Sequence, residues 1–336
     1  MKIWGILIHL GQNIWAEKKT SPVLKFDENV WNKVVARCAE KGINTIILDV
    51  AEGVVYPSHP ELAVEGSWSP EKVKSETLRL REMGIELVPK LNFSAFHDIW
   101  MGEYGRMVSS QIYYQVCKEL ICDAYEMFCH PSFIHIGMDE EDDTHAYFRD
   151  VDYMTIIRHD ELLVHDINYL AECVESLGAK CHMWHDPMTS RRPEYVEKIS
   201  KSIIPEAWMY YSYIRENWTP LCEQTQFVQD YYKNHFKNLY GYEIEYVEED
   251  PFVVKTKAIV EKFVQEKRPF IATTSNYEID HSEVDTVRFL KELDPTFETV
   301  CGVTTAPWRL TFAEFEEDLL DAVDKLSEAK KIAELE

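Results

Sequence analysis

Apolar residues follow two alternating rhythms along the chain. Short continuous apolar runs, as in residues 3–8, 45–50 and 270–274, have the character of buried strands. Between them, apolar residues recur three and four positions apart, the spacing of one helix face. The reading gives strands at 3–8, 45–50, 85–91, 133–138, 180–184, 203–209, 270–274 and 300–304. Local punctuation supports the helices between them. Asp27 is placed to cap the first, with Val30, Val34, Val35 and Cys38 on its inner face and Gly42 as its stop. Ser69-Pro70 opens the second, which carries Val73, Leu80 and Met83 and stops at Gly84. The third carries Ile112, Val116, Leu120, Ala124 and Met127. The fourth carries Leu162, Tyr169, Leu170, Cys173 and Leu177 and ends at Gly178. A short helix is expected near 195–199, and a sixth over 253–264 with Ile259, Val260 and Phe263 inward. The seventh carries Val284, Val287 and Leu290, and the eighth opens with a capping box from Thr311 to Glu314.

Eight strand–helix units with continuously apolar strands imply a buried parallel sheet, so the fold class is α/β. A single closed (β/α)8 TIM barrel over residues 1–336 fits best, with a long aromatic, polar insertion at 210–250 after strand six. That insertion is suited to packing on the barrel, roofing a site or making a homodimer contact. A doubly wound open sheet is the competing fold. It lacks a Gly-x-Gly-x-x-Gly or Walker pattern after strand one.

Composition narrows the partners. The chain is 46% hydrophobic with only 12 glycines, which excludes a disordered or glycine-linked chain. Against 59 Asp+Glu stand 35 Lys+Arg, a net charge of −24, so nucleic acid and anionic membranes are unsuitable partners. No window approaches 18 uninterrupted apolar residues, and the N-terminal apolar run ends at His9, too early for a signal peptide. The eight cysteines include no Cys-x-x-Cys pair and fall on core-facing positions, which suits reduced thiols and a cytoplasmic location.

In a barrel, chemistry sits at the carboxyl ends of the strands. Those ends carry His9 and Gln12; Asp49 and Glu52; Asn92 and His97; His135, Asp139, Glu140 and Glu141; Trp184, His185 and Asp186; Glu206 and Trp208; Tyr277 and Glu278; Trp308 and Arg309. Indoles with carboxylates suit sugar rings, which have apolar faces and hydroxyl edges. Paired carboxylates suit glycosidic cleavage, which needs a proton donor and a partner for the developing cation. The sharpest segment is His135-Ile136-Gly137-Met138-Asp139-Glu140. On a strand, His135, Gly137 and Asp139 would share one face, with Glu140 opening the loop. The neighbouring Glu141, Asp142 and Asp143 are expected to raise the pKa of an acid that must keep its proton.

His-x-Gly-x-Asp-Glu at the end of strand four resembles the signature of family 20 glycoside hydrolases, the β-N-acetylhexosaminidases. Softer similarities cover most of the barrel: Tyr56-Pro57 through Glu61-Leu62, residues 84–92, Met183-Trp184-His185-Asp186, residues 203–208 and Asn276-Tyr277-Glu278-Ile279-Asp280. The resemblance implies substrate-assisted, retaining catalysis on N-acetylhexosaminides, in which the sugar's acetamido oxygen forms an oxazolinium intermediate. Asp139 would orient the acetamido group, and Glu140 would be general acid and then base. Trp184, Trp208 and Trp308 would wall the sugar, Tyr277 would donate to the acetamido oxygen, and His135, Asn92 and Asp186 would line the substrate site. Neither cofactor nor metal is implied; the partner is an oligosaccharide or glycoside.

Four segments depart from the family pattern. Strand one ends in His9 with no Arg, Glu141 follows the acid pair, strand three has Lys90 and Asn92 where the family has Glu and Asp, and Trp308-Arg309-Leu310 lacks the family's Glu. Strand one begins at residue 3, so the family's usual preceding α+β domain is not expected. Other readings remain open. A retaining glycosidase could pair Glu140, or Glu141, with Glu278 as nucleophile. A metal-dependent hydrolase could draw on His135, Asp139, His182, His185 and Asp186, although His182 and His185 should face opposite sides of a strand. From another class, a non-catalytic carbohydrate-binding barrel would explain the missing Arg and Glu.

Overall fold

The computed structural model describes residues 2–11, 21–95, 97–141, 156–190, 192–210, 251–277 and 282–334. Eight parallel strands close into a barrel in chain order: β1 Ile3–His9, β2 Thr45–Asp49, β3 Glu86–Lys90, β4 Phe133–His135, β5 Lys180–Trp184, β6 Ile204–Trp208, β7 Phe270–Thr274 and β8 Val300–Thr305. The expected closed α/β barrel is therefore present and the open sheet is excluded. The connecting helices are α1 Glu28–Lys41, α2 Pro70–Glu82, α3 Gln111–Met127, α4 Asp160–Ser176, α5 Asp186–Ser190, α6 Pro193–Val196, α7 Pro251–Gln265, α8 Ser282–Leu293 and α9 Glu316–Glu334. The 211–250 part of the long insertion lies outside the described residues.

Side-chain alternation along the strands produces two separate cores. Ile6, Ile8, Ile46, Leu48 and Leu87 point outward and pack with the helices, while Leu7, Ile47, Val88, Phe133, Trp184, Trp208 and Ala306 fill the barrel. Two caps form as read: Asp27 accepts from the Asn29 amide at 2.8 Å, and Ser69 accepts from the Lys72 amide at 3.2 Å. Gly42 adopts the left-handed conformation that ends α1, with φ 70°.

The inner helix faces are shifted in places. Met83, Ile112 and Leu162 are exposed rather than inward. In α3 and α4 the buried stripes start one residue later, at Tyr113 and Leu163, and run from there at helical spacing. The expected capping box at Thr311 does not form. Its hydroxyl donates to the His9 carbonyl at 2.7 Å, tying the β8 loop to β1, and α9 starts only at Glu316. No disulfide joins any of the seven described cysteines, of which Cys38, Cys117, Cys173 and Cys181 are buried. Among the described residues, no helix is long and apolar enough to cross a membrane.

Candidate active site

The β4 end is more contorted than an extended strand. Hydrogen bonding to β5 continues through the Gly137 carbonyl, which accepts from the Trp184 amide at 3.0 Å. Gly137 and Met138 then both turn left-handed, with φ 71° and 68°, and Glu140 follows at 55°. The expected extended strand through Met138, with His135, Gly137 and Asp139 on one face, is thus broken. Asn92 supplies the reason. A Cβ at position 137 would lie 2.1 Å from its side-chain oxygen, so glycine is needed for the close approach.

That approach builds the acid pair's surroundings. Asn92 Nδ2 donates to Asp139 Oδ1 at 2.8 Å. The Ser94 hydroxyl lies 2.9 Å from Asn92 Oδ1 and 3.3 Å from Asp139 Oδ1. His97 Nε2 lies 3.3 Å from Asp139 Oδ2 and 3.2 Å from Glu140 Oε2, bridging the two acids. Burial alone would lower the His97 pKa, but the charges of Asp139 and Glu140 outweigh it and raise the imidazole above its ordinary value. The Glu140 amide donates to Asp186 Oδ2 at 2.8 Å, which fixes the turn from the β5 side. Asp186 opens α5, so the expected substrate-lining carboxylate also holds the backbone of Glu140.

Glu141 faces the other way. Its carboxylate accepts from Arg158 N and Nε, each at 2.8 Å, from Arg158 Nη2 at 3.1 Å, and from the Ala95 amide at 2.8 Å. Arg158 continues to Asp166 at 3.4 Å and to the Phe93 carbonyl at 2.6 Å. Glu141 is therefore matched by a guanidinium. Its charge is met by Arg158 rather than left free beside Glu140. Asp142, Asp143 and Glu278 lie outside the described residues, so the Glu140–Glu278 pairing does too.

Aromatic groups from β5, β6 and β8 enclose the space beside this corner. The Trp184 ring centroid is 5.7 Å from that of Trp208 and 6.0 Å from that of Trp308. Tyr210 stacks on Trp208 at 5.9 Å and meets Trp308 edge-on at 6.2 Å. Burial, and then the Asp139 charge, push the Tyr210 phenol well above its ordinary pKa, keeping it protonated. Tyr210, the first residue of the expected insertion, thus belongs to the aromatic wall. Tyr277, the expected acetamido donor, is half-buried with the Arg309 guanidinium 4.4 Å above its ring. His135 is fully buried beneath Trp184, 4.5 Å between rings, and its Nδ1 accepts from the Gly137 amide at 3.0 Å. It lies beneath the indole wall rather than on its surface.

The remaining histidines separate as their spacing predicts. His182 faces inward and pairs with Glu206 at 2.9 Å. His185 lies 3.3 Å from the Trp208 amide and 3.4 Å from the Thr256 hydroxyl, and burial brings its pKa down to about 3, so it is neutral. They cannot share one ion. Among the described residues, His97, Asp139 and Glu140 form a group whose ligand atoms lie within 4.8 Å of one another, close enough to hold a metal ion. Ser94 and Lys90 were also readable in principle, because the strand alternation carries residues 90, 92 and 94 onto one side.

Comparison with known proteins was uneven. No protein-family model matches the chain, and no curated protein matches it in sequence. Solved structures do match. The GH20 β-N-acetylhexosaminidase of Streptomyces coelicolor A3(2) aligns with TM-score 0.59 at 13% identity, over 97% of this chain and 64% of that one. A GH20 exo-β-N-acetylglucosaminidase of Vibrio harveyi, in complex with N-acetylglucosamine, aligns with TM-score 0.57 at 11% identity, over 98% and 56%. Dispersin B aligns with TM-score 0.54 at 14% identity, over 98% of both chains. The chain thus spans less than two thirds of the first two proteins' length. At these identities the likeness is one of fold, and it is with this barrel that the corner of Asp139 and Glu140 must be interpreted.

Proposed function

We propose that this protein is a glycoside hydrolase acting on N-acetylhexosaminides by substrate-assisted retention. One observation carries the reading: Asp139, held on one oxygen by Asn92 Nδ2 at 2.8 Å, shares His97 with Glu140 beside a wall of indoles. The likeness to GH20 barrels supports it. In this scheme the acetamido oxygen attacks the anomeric carbon as the glycosidic C–O bond breaks. Glu140 gives its proton to the leaving oxygen. Asp139 balances the positive charge that develops on the acetamido nitrogen. Water then attacks the anomeric carbon, Glu140 takes its proton, and the acetamide is restored. His97 lies within hydrogen-bond distance of both carboxylates, so one imidazole serves the two acids. Trp208, Trp308 and Tyr210 wall the ring, with the buried Trp184 packed behind them, and keep water from the intermediate.

The test is hydrolysis of chromogenic aryl N-acetyl-β-hexosaminides. Wild-type protein should cleave them and should not cleave the matching glycosides with a 2-hydroxyl. Asp139→Asn should lose about 10²- to 10³-fold in kcat, because it leaves the intermediate's charge unbalanced. Near-wild-type turnover by that variant, or equal cleavage of the 2-hydroxyl glycosides, would remove the mechanism. Binding of the sugar with no turnover would favour a carbohydrate-binding barrel instead.

A further inference from the structure

His59 and His97 each lie between two carboxylates, in different ways. His59 meets Glu61 through Nδ1 at 2.9 Å and Glu119 through Nε2 at 2.8 Å, so its partners stand on opposite sides of the ring. One ion cannot take all three of those groups. His97 turns a single nitrogen to two acids: Nε2 lies 3.3 Å from Asp139 Oδ2 and 3.2 Å from Glu140 Oε2. Among the described residues, this is the group whose three side chains place one ligand atom each within 4.8 Å of one another. It is also reachable, since the His97 side chain is 19% exposed and that of Glu140 32%.

The two distances at His97 exceed those of a charge-assisted hydrogen bond, about 2.7–2.9 Å. They match another geometry. Two ligand atoms that are each about 2.0–2.1 Å from a tetrahedral zinc ion lie about 3.3–3.4 Å apart. Both edges at His97 are close to that length, and only the two carboxylate oxygens must draw together. The partly exposed Glu140 side chain is free to make that movement. Asp139 is set from behind. Asn92 Nδ2 donates to its Oδ1 at 2.8 Å and leaves Oδ2 facing His97, the way an outer partner orients a ligating carboxylate. Two carboxylates and an unprotonated imidazole, the forms that bind metal, together carry two negative charges. Lys90, whose charge also acts on His97, is paired with Asp49 at 2.7 Å and does not cancel them.

We propose that His97, Asp139 and Glu140 form an inhibitory site for a divalent transition-metal ion of the zinc type, with solvent water completing its coordination. One imidazole and two carboxylates suit zinc. They do not suit Mg²⁺, which demands near-octahedral oxygen coordination and gives up its water reluctantly. The inhibitory consequence rests on the proposed function; the binding itself does not. A bound ion occupies the Glu140 oxygen that must carry a proton and the Asp139 oxygen that must face the acetamido group. Metal and sugar therefore exclude each other, and the ion takes no part in hydrolysis.

The probe is Zn²⁺ alone, titrated into the full chain by calorimetry in a non-chelating buffer, with hydrolysis of an aryl N-acetyl-β-hexosaminide followed in parallel. Wild type should bind one ion at this site, and equimolar Mg²⁺ should not displace it. His97→Gln should weaken binding by more than about 100-fold, and Asn92→Ala, which removes the outer partner, by about 10- to 100-fold. Glu140→Gln should weaken it as well, and it decides the matter if His97→Gln fails to fold. His59→Gln should bind like wild type. In kinetics, zinc should raise the apparent KM and leave kcat unchanged. Wild-type affinity in both His97→Gln and Glu140→Gln, or inhibition that lowers kcat alone, would overturn the site. Turnover lost on chelation and restored by zinc would overturn the inhibitory role. The two readings fail separately. Zinc held through His97 with no turnover of any hexosaminide removes the proposed function and the inhibitory role but keeps the metal site; turnover without zinc binding removes only the metal site.

Discussion

Glu140 and Glu141 are adjacent in sequence and have opposite fates. The Glu140 side chain is 32% exposed and meets His97, which it shares with Asp139. The Glu141 side chain is 1% exposed and is gripped by Arg158, whose guanidinium is buried with Asp166. The partner decides the role. An imidazole gains and loses a proton near neutrality, and a guanidinium does not. The carboxylate beside His97 has a titrating partner, whereas the one beside Arg158 faces a permanent cation. The alternative in which Glu141 serves as the acid is therefore disfavoured by its partner, not by its position in the chain.

Replacing each acid by its amide should break the comparison most strongly. Glu140→Gln should lower kcat by about 10²- to 10⁴-fold on substrates with poor leaving groups, the range for general acid catalysis, while melting like wild type. Activated leaving groups should suffer less. Glu141→Gln should show the reverse, a lower melting temperature with chemistry preserved in the folded fraction. If Glu141→Gln abolished turnover without destabilising the fold, the assignments would have to be exchanged.

The second prediction concerns stability. Arg158→Met leaves Glu141 and Asp166 buried without their guanidinium, and removal of one partner from a buried ion pair costs about 3–5 kcal/mol. Urea unfolding should read that loss. Adding Glu141→Leu should recover part of it, since Asp166 keeps the Ser109 hydroxyl at 2.7 Å while Glu141's charge is gone. A single Arg158→Met variant as stable as wild type would mean that the clasp carries no energy.

The contrast also marks what the sequence could reveal. Eight strand–helix units, the Asp27 and Ser69 caps and the Gly42 stop were legible because each is set by residues within a few positions of one another. The Asp139–Glu140 pair was legible because a short motif carries it. Arg158 was not, because it reaches Glu141 across 17 positions, and nothing local marks one arginine as another loop's partner. The bend after His135 was hidden for a similar reason. Gly137 reads as a strand residue until Asn92, from a different strand, claims the space of its Cβ. Thr311 misled because a Thr-x-x-Glu pattern is satisfied equally well by a tertiary bond, here to the His9 carbonyl.

His97 gives the smallest effect and the finest test of the comparison. Its pKa is raised, so the protonated imidazole stabilises the fold fully below the unfolded value of about 6.5, and that contribution fades as pH rises through the higher folded value. The same proton belongs to the cluster that must supply one to the leaving group. The alkaline limb of kcat/KM against pH should therefore lie above about 6.5 in wild type. In His97→Gln the two carboxylates lose their common donor of protons, and the limb should move to lower pH by on the order of one unit. The melting temperature of the variant should lose the corresponding decline between neutral and alkaline pH. Arg158→Lys, which keeps the charge on the Glu141 side, should leave the limb where it is. If the limb stayed put in His97→Gln and moved in Arg158→Lys, proton exchange would belong to Glu141, and the distinction between a fixed and an exchanging neighbour would fail.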